Sequence, residues 1–129
     1  MRNATLLLGL TFTLGTCGHN LPGSDDGINT YPANYKSDIL AAMHAYLNNP
    51  TGIRDAGLSE PTLKSSGNVT RYVACLRFTA KKNVSEYAGT KEIAIVFMGG
   101  RLDRFVETPK QECTGATYAA FPELQNLPP

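Results

Sequence analysis

The spacing of apolar residues changes period along the chain, and each period predicts a different element. From Asn34 to Asn48 the apolar residues are Tyr35, Ile39, Met43, Tyr46 and Leu47. Steps of four, four, three and one line a single face of an α-helix. Pro32 suits the approach to a first turn, and Asp38 sits near the positive end of the helix dipole. Asn48-Asn49-Pro50-Thr51-Gly52 stops the helix. The period then falls to two. Ile53 to Lys64 is the weakest extended segment. It contains Gly57 and Pro61, which predicts an edge or irregular strand, because proline cannot donate to a ladder. Arg71 to Thr79 and Lys91 to Met98 alternate cleanly. Ala80 to Thr90 between them is a polar loop. Gly99-Gly100 is a two-residue hairpin signal, and Arg101 to Glu107 is the return strand.

Counting back from that hairpin predicts the register. Met98 faces Arg101, Phe97 faces Leu102, Ile95 faces Arg104 and Ile93 faces Val106. The principal face is then Ile93, Ile95, Phe97, Leu102 and Val106, joined by Tyr72, Leu76 and Phe78, with the helix as its cover. Arg104 falls among these apolar residues. Either its stem packs and its guanidinium reaches the sheet edge, or it makes a buried ion pair or anion contact. The second face carries Val73, Cys75, Val96, Met98 and Phe105. Thr114 to Leu124, with Tyr118, Phe121 and Leu124, is expected to fold back across it. The expected fold class is α+β: one N-terminal helix on a four-stranded antiparallel meander, with the C-terminal tail held by a disulfide.

The N-terminus follows neither period. Arg2 supplies one charge, and Ala4 to Gly15 is uncharged and apolar apart from its threonines. Such a run, about ten residues long, fits an export signal and is short of the ~20 needed to span a bilayer. The competing reading is a buried helix. Against it, Gly18 to Thr30 is rich in Gly, Asn, Asp and Ser and reads as a tether, not a packing element. Leu14-Gly15-Thr16-Cys17 resembles the lipobox of bacterial lipoproteins, although Thr16 stands where that family usually has Gly, Ala or Ser. The resemblance implies cleavage before Cys17 and diacylation of its thiol, which anchors the chain to a membrane. Gly18 follows, not the aspartate that retains such proteins at the inner membrane, so the resemblance favours the outer membrane. The chain is thus read as a signal peptide (1–16), a lipid anchor and tether (17–30) and one domain (31–129). Without lipidation the product would be soluble and periplasmic or secreted.

Three cysteines are present. With Cys17 taken by lipid, Cys75 and Cys113 remain, an even pair in an exported chain, where disulfides persist. Two buried free thiols are the alternative. A length of 129 residues allows one domain, and 42 % hydrophobic content supports a small core that a covalent staple would help. The net charge of +1, with cations scattered apart from Lys81-Lys82, argues against a nucleic-acid partner. His44 lies beside the apolar helix face and reads as structural. The adjacent carboxylates Asp25-Asp26 lie in the tether. No G-x-S-x-G, H-E-x-x-H, P-loop or G-x-G-x-x-G motif occurs, so neither enzyme chemistry nor a cofactor or metal is expected. Asn68-Val-Thr and Asn83-Val-Ser match glycosylation sequons, which matter only in a eukaryotic secretory pathway.

Several stretches make the chain similar to small uncharacterised exported proteins of alphaproteobacteria with a lipoprotein-type signal peptide. They are Tyr31-Pro-Ala-Asn-Tyr, Asn49-Pro-Thr-Gly-Ile-Arg-Asp-Ala, Arg71-Tyr-Val-Ala-Cys-Leu-Arg, the strand before Gly99-Gly100-Arg101, and Phe121-Pro-Glu-Leu. The likeness implies no particular activity. The order of helix then meander also resembles envelope lipoproteins of outer-membrane assembly and cystatin-like inhibitors, though no Q-x-V-x-G motif is present. The reading that follows is a non-catalytic envelope lipoprotein that binds another envelope protein. The segment from Leu58 to Lys64 and the hairpin residues Arg101 and Arg104 are its expected contact surfaces. A small periplasmic inhibitor or ligand-binding module is the alternative.

Overall fold

A computed structural model describes residues 27–129; the expected signal peptide, Cys17 and the expected tether up to residue 26 lie outside the described residues. Helix α1 spans Tyr35–Tyr46. Ile39 and Met43 are fully buried, and Tyr35, Leu40, Tyr46 and Leu47 pack beside them. Burying Ile39 and Met43 is worth about 1.5–3 kcal/mol each. This is the face that the spacing predicts.

The α+β class holds, but the sheet is larger than the expected four-stranded one and a second helix is present. The described residues form six antiparallel strands: β1 (Arg54–Leu58), β2 (Thr62–Ser66), β3 (Val69–Thr79), β4 (Lys91–Met98), β5 (Arg101–Val106) and β6 (Ala119–Ala120). Their order is β5-β4-β3-β1-β6, with β2 also paired to β3. The expected meander survives as β2-β3-β4-β5. What was expected to be one irregular strand from Ile53 to Lys64 is two. Both pair with the long β3, β2 along its first half and β1 along its second. Ser59-Glu60-Pro61 separates them, so the proline occupies the break and not a ladder position. At the break the buried Ser59 replaces the missing backbone pairing. Its N–H donates to the Cys75 carbonyl at 2.9 Å, and its hydroxyl accepts the Cys75 N–H at 2.7 Å.

The β4–β5 register departs from the expected one after two pairs. Met98↔Arg101 and Phe97↔Leu102 are as counted, but a bulge follows, and the next pairs are Val96↔Arg104, Ile95↔Phe105 and Ala94↔Val106. One extra residue, Asp103, moves every later side chain to the opposite face. Phe105 therefore joins the helix-covered core, edge-on to Tyr46 at 5.4 Å between ring centroids. Val106 goes to the second face. Arg104 leaves the principal face, and the expected Ile95 opposition is replaced by Val96.

The tail is also more divided than expected. Cys113, Ala116 and Tyr118 do cover the second face. Phe121 and Leu124 instead enter the helix-side core, fully buried. The chain changes sides at β6, which pairs Gly57↔Ala120 and Leu58↔Ala119 along the outer edge of β1. The short helix α2 (Pro122–Gln125) follows. Gln125 then satisfies the irregular start of β1 by accepting the Ala56 N–H at 3.1 Å. Gly57 permits the crossing, since a Cβ there would lie 3.1 Å from the Arg77 Nε and 3.2 Å from the Tyr118 Cβ.

Candidate functional site

The second face is the chemically distinctive part of the molecule. Its buried residues are Val73, Cys75, Ala94, Val96 and Cys113. The Cys75–Cys113 disulfide joins them with Cα atoms 5.7 Å apart across 38 residues of sequence. The bond holds the segment after β5 over the sheet. Tyr118 holds the other end of that segment. Its ring lies 4.5 Å from the Arg77 guanidinium, and its hydroxyl donates to the Glu92 carboxylate. Burial first, and then that hydrogen bond, push the Tyr118 phenol well above its ordinary range.

The covering segment does not close the face. A groove of about 470 Å³ runs between it and the β1–β2 break, lined by Leu58, Glu60, Lys64, Cys75, Glu112 and Tyr118 among others. A smaller cleft of about 140 Å³ adjoins it and shares Lys64, Val73 and Glu112. Val96 and Val106 line the cleft together with three cations, Lys64, Arg71 and Arg104. Lys64 and Arg71 are direct cross-strand partners. Neither makes an ion pair with a described residue; Arg71 donates to the Thr70 carbonyl at 2.7 Å. Arg104 pairs with its neighbour Asp103 at 2.8 Å. The Glu112 carboxylate is occupied by backbone N–H groups, including that of Lys110 at 3.0 Å. Those bonds hold its carboxyl below the usual range, with a smaller contribution from the Arg104 charge.

The edge of β2 borders this cleft. The hairpin β2–β3 turns through Gly67-Asn68, with φ +59° at Gly67 and no positive φ at Asn68. That is the II′ geometry, for which glycine at the first position carries no steric cost. Such a turn makes Ser66 and Val69 the hydrogen-bonded pair, so by alternation Leu63 and Ser65 point their N–H and C=O groups away from β3. Among the described residues no strand pairs with that outer edge.

Arg104 thus reaches the cleft, while Arg101, the other expected contact residue, stands exposed at the hairpin opposite Met98 and does not line it. Cys75 and Cys113 are bonded as expected. The position expected to carry lipid, Cys17, lies outside the described residues. Ser59 and Lys64 belong to the expected contact segment from Leu58 to Lys64, whereas Arg71 stands outside every expected contact surface. The alternation that assigned Val73 and Cys75 to one face also placed Arg71 there, but β2 had to be located before Lys64 could be set opposite it.

A second set of polar side chains ties α1 to the sheet. Lys91 Nζ donates to the Tyr46 hydroxyl, which donates to the Glu107 carboxylate, and Lys91 lies 3.6 Å from Glu107. The Tyr46 bond, and then the Lys91 charge, hold the Glu107 carboxyl below its usual range; the same Tyr46 bond raises Lys91. Its members satisfy one another, so it reads as a strut. Among the described residues no three His, Cys, Asp or Glu side chains gather as a metal site, and no helix is long and apolar enough to cross a membrane.

Comparison with protein families, with curated proteins and with solved structures finds no match to this chain.

Proposed function

We propose that this protein is a non-catalytic binding module of the cell envelope, anchored by lipid on Cys17, that accepts an extended segment of another envelope protein along the outer edge of β2. The observation that carries this reading is the edge at Leu63 and Ser65, which no strand of the described residues pairs, beside a cleft whose far wall is held by a disulfide. Strand addition takes most of its affinity from main-chain hydrogen bonds, and pockets beside the edge select side chains. A strand that ends in the polar turn Gly67-Asn68 offers such bonds without a large apolar surface. The disulfide suits an oxidising compartment.

Placing a photo-crosslinking amino acid at Ser65 of the full chain in its native cell tests the proposal. The expected result is one discrete adduct in the membrane fraction, lost in Cys17→Ser and absent when the probe replaces Lys36 on the outer side of α1. Equal labelling from Ser65 and Lys36, or none from Ser65, would overturn it.

A further inference from the structure

We infer that the segment received by β2 alternates acidic and apolar residues, with its carboxylates on the cleft side beside Lys64 and Arg71. The inference rests on the strand-addition reading and names the chemistry of the occupant. Lys64 and Arg71 are directly opposite each other on neighbouring strands. Like charges so placed destabilise a sheet. A lysine alone on an edge strand is enough to discourage unwanted pairing, so the arginine behind it serves no such purpose. No described carboxylate pairs with either of them. Of the carboxylates nearby, Asp103 pairs with Arg104, Glu112 is held by backbone N–H groups, and Glu60, which lines the adjoining groove with Lys64, makes no ion pair with it. No described carboxylate relieves the repulsion, and one carried on an added strand would.

The alternation follows from the register. Thr62, Lys64 and Ser66 are opposite Val73, Arg71 and Val69, so they share the cleft face with Val73. Leu63, opposite Tyr72, lies on the helix side and is 52 % exposed. A strand laid along this edge would present every second residue to Lys64, and the intervening ones to Leu63. Acids suit the first set and aliphatic side chains the second. Arg104 lines the same cleft from β5 and adds to its positive field. Basic peptides are rejected by the same field.

The test uses the purified mature chain and three capped seven-residue peptides: Val alternating with Glu, with Thr, and with Lys. Binding is followed by fluorescence anisotropy. The acidic peptide should bind about ten-fold more tightly than the threonine peptide, the scale of two partly exposed charge pairs. The preference should shrink as salt is raised and vanish in K64Q/R71Q. If that double variant fails to melt cooperatively, the salt series on the wild-type chain decides alone. Equal binding of all three peptides, abolished by Ser65→Pro, would overturn the acidic occupant and leave strand addition standing. Binding of none of them would overturn both. Vesicles of equal parts phosphatidylcholine and phosphatidylglycerol serve as the competing anion. Capture of the Cys17→Ser chain by such vesicles and not by pure phosphatidylcholine, with no peptide bound, would overturn the inference in favour of a lipid surface.

Discussion

The two faces of the sheet solve the same burial problem by different means. The helix side is closed by bulk: Phe78, Phe97, Phe121, Ile93, Ile95 and Leu124 are essentially inaccessible, and α1 adds Ile39 and Met43. The disulfide side has small buried residues, Val73, Ala94 and Val96 among them, and a cover without regular structure apart from β6. Its closure depends on one covalent bond, the Tyr118 clamp and the polar link at Ser59. Interdigitated side chains exclude water along their whole length, whereas a cover held at a few points leaves grooves between them. The groove and the cleft that share Lys64 lie on the side that is stapled, whereas the hollow on the helix side, lined by Tyr46, Leu47, Phe78 and Lys91, sits at the end of α1 where its cover stops.

The largest test of this contrast removes the staple. C75A/C113A should lose about 4 kcal/mol by urea denaturation, the chain-entropy figure for a loop of 38 residues. Hydrogen exchange should show residues 108–118 opening before α1 and β4. A loss below about 1 kcal/mol would mean that the second face is held by packing after all. Next in size is Ser59→Ala, which leaves the buried Cys75 N–H without its acceptor. About 1–3 kcal/mol is expected, with both cysteines still bonded by mass spectrometry. An unchanged midpoint would show that the strand break is not a point of attachment.

The smallest effect is expected from the Lys91–Tyr46–Glu107 strut, which belongs to the helix side. The Glu107 carboxyl is depressed in the folded chain, so its stabilisation is present at neutral pH and is lost as pH falls through the folded value, beginning near the ordinary glutamate value of about 4.3. Lys91 is raised, so its contribution is lost only in strong alkali, as pH climbs through its folded value. Melting of the wild type and Glu107→Gln should therefore differ at neutral pH and converge in acid. The exposure of Glu107 keeps the difference small. A gap that widens in acid would remove the strut from the account.

Much of the fold was legible because it is written in local periods. The step pattern from Tyr35 to Leu47 specified α1 and its buried stripe. Strict alternation specified β3 and β4, and Gly99-Gly100 specified their continuation into β5. The site was less legible. Arg104 was noticed as a charge out of place on an apolar face; the bulge is what removes the conflict, by turning Arg104 out and Phe105 in. Lys64 closes the expected contact segment and Arg71 lies outside it, and the sequence does not link them, because a cation on a strand is ordinary until its cross-strand partner is known.

Unaided, the amino-acid order determined the α+β class, the helix, the central meander and the pairing of two cysteines, since each rests on residues whose spacing or chemistry is complete within the chain. Only the tertiary structure decided where alternation is interrupted. The bulge at Asp103, the break at Ser59-Glu60-Pro61 and the passage of the tail from one face to the other through β6 are settled by competition between distant segments for the same edge and the same core volume. No local period records that competition, and the cleft lined by Lys64, Arg71 and Arg104 is one of its products.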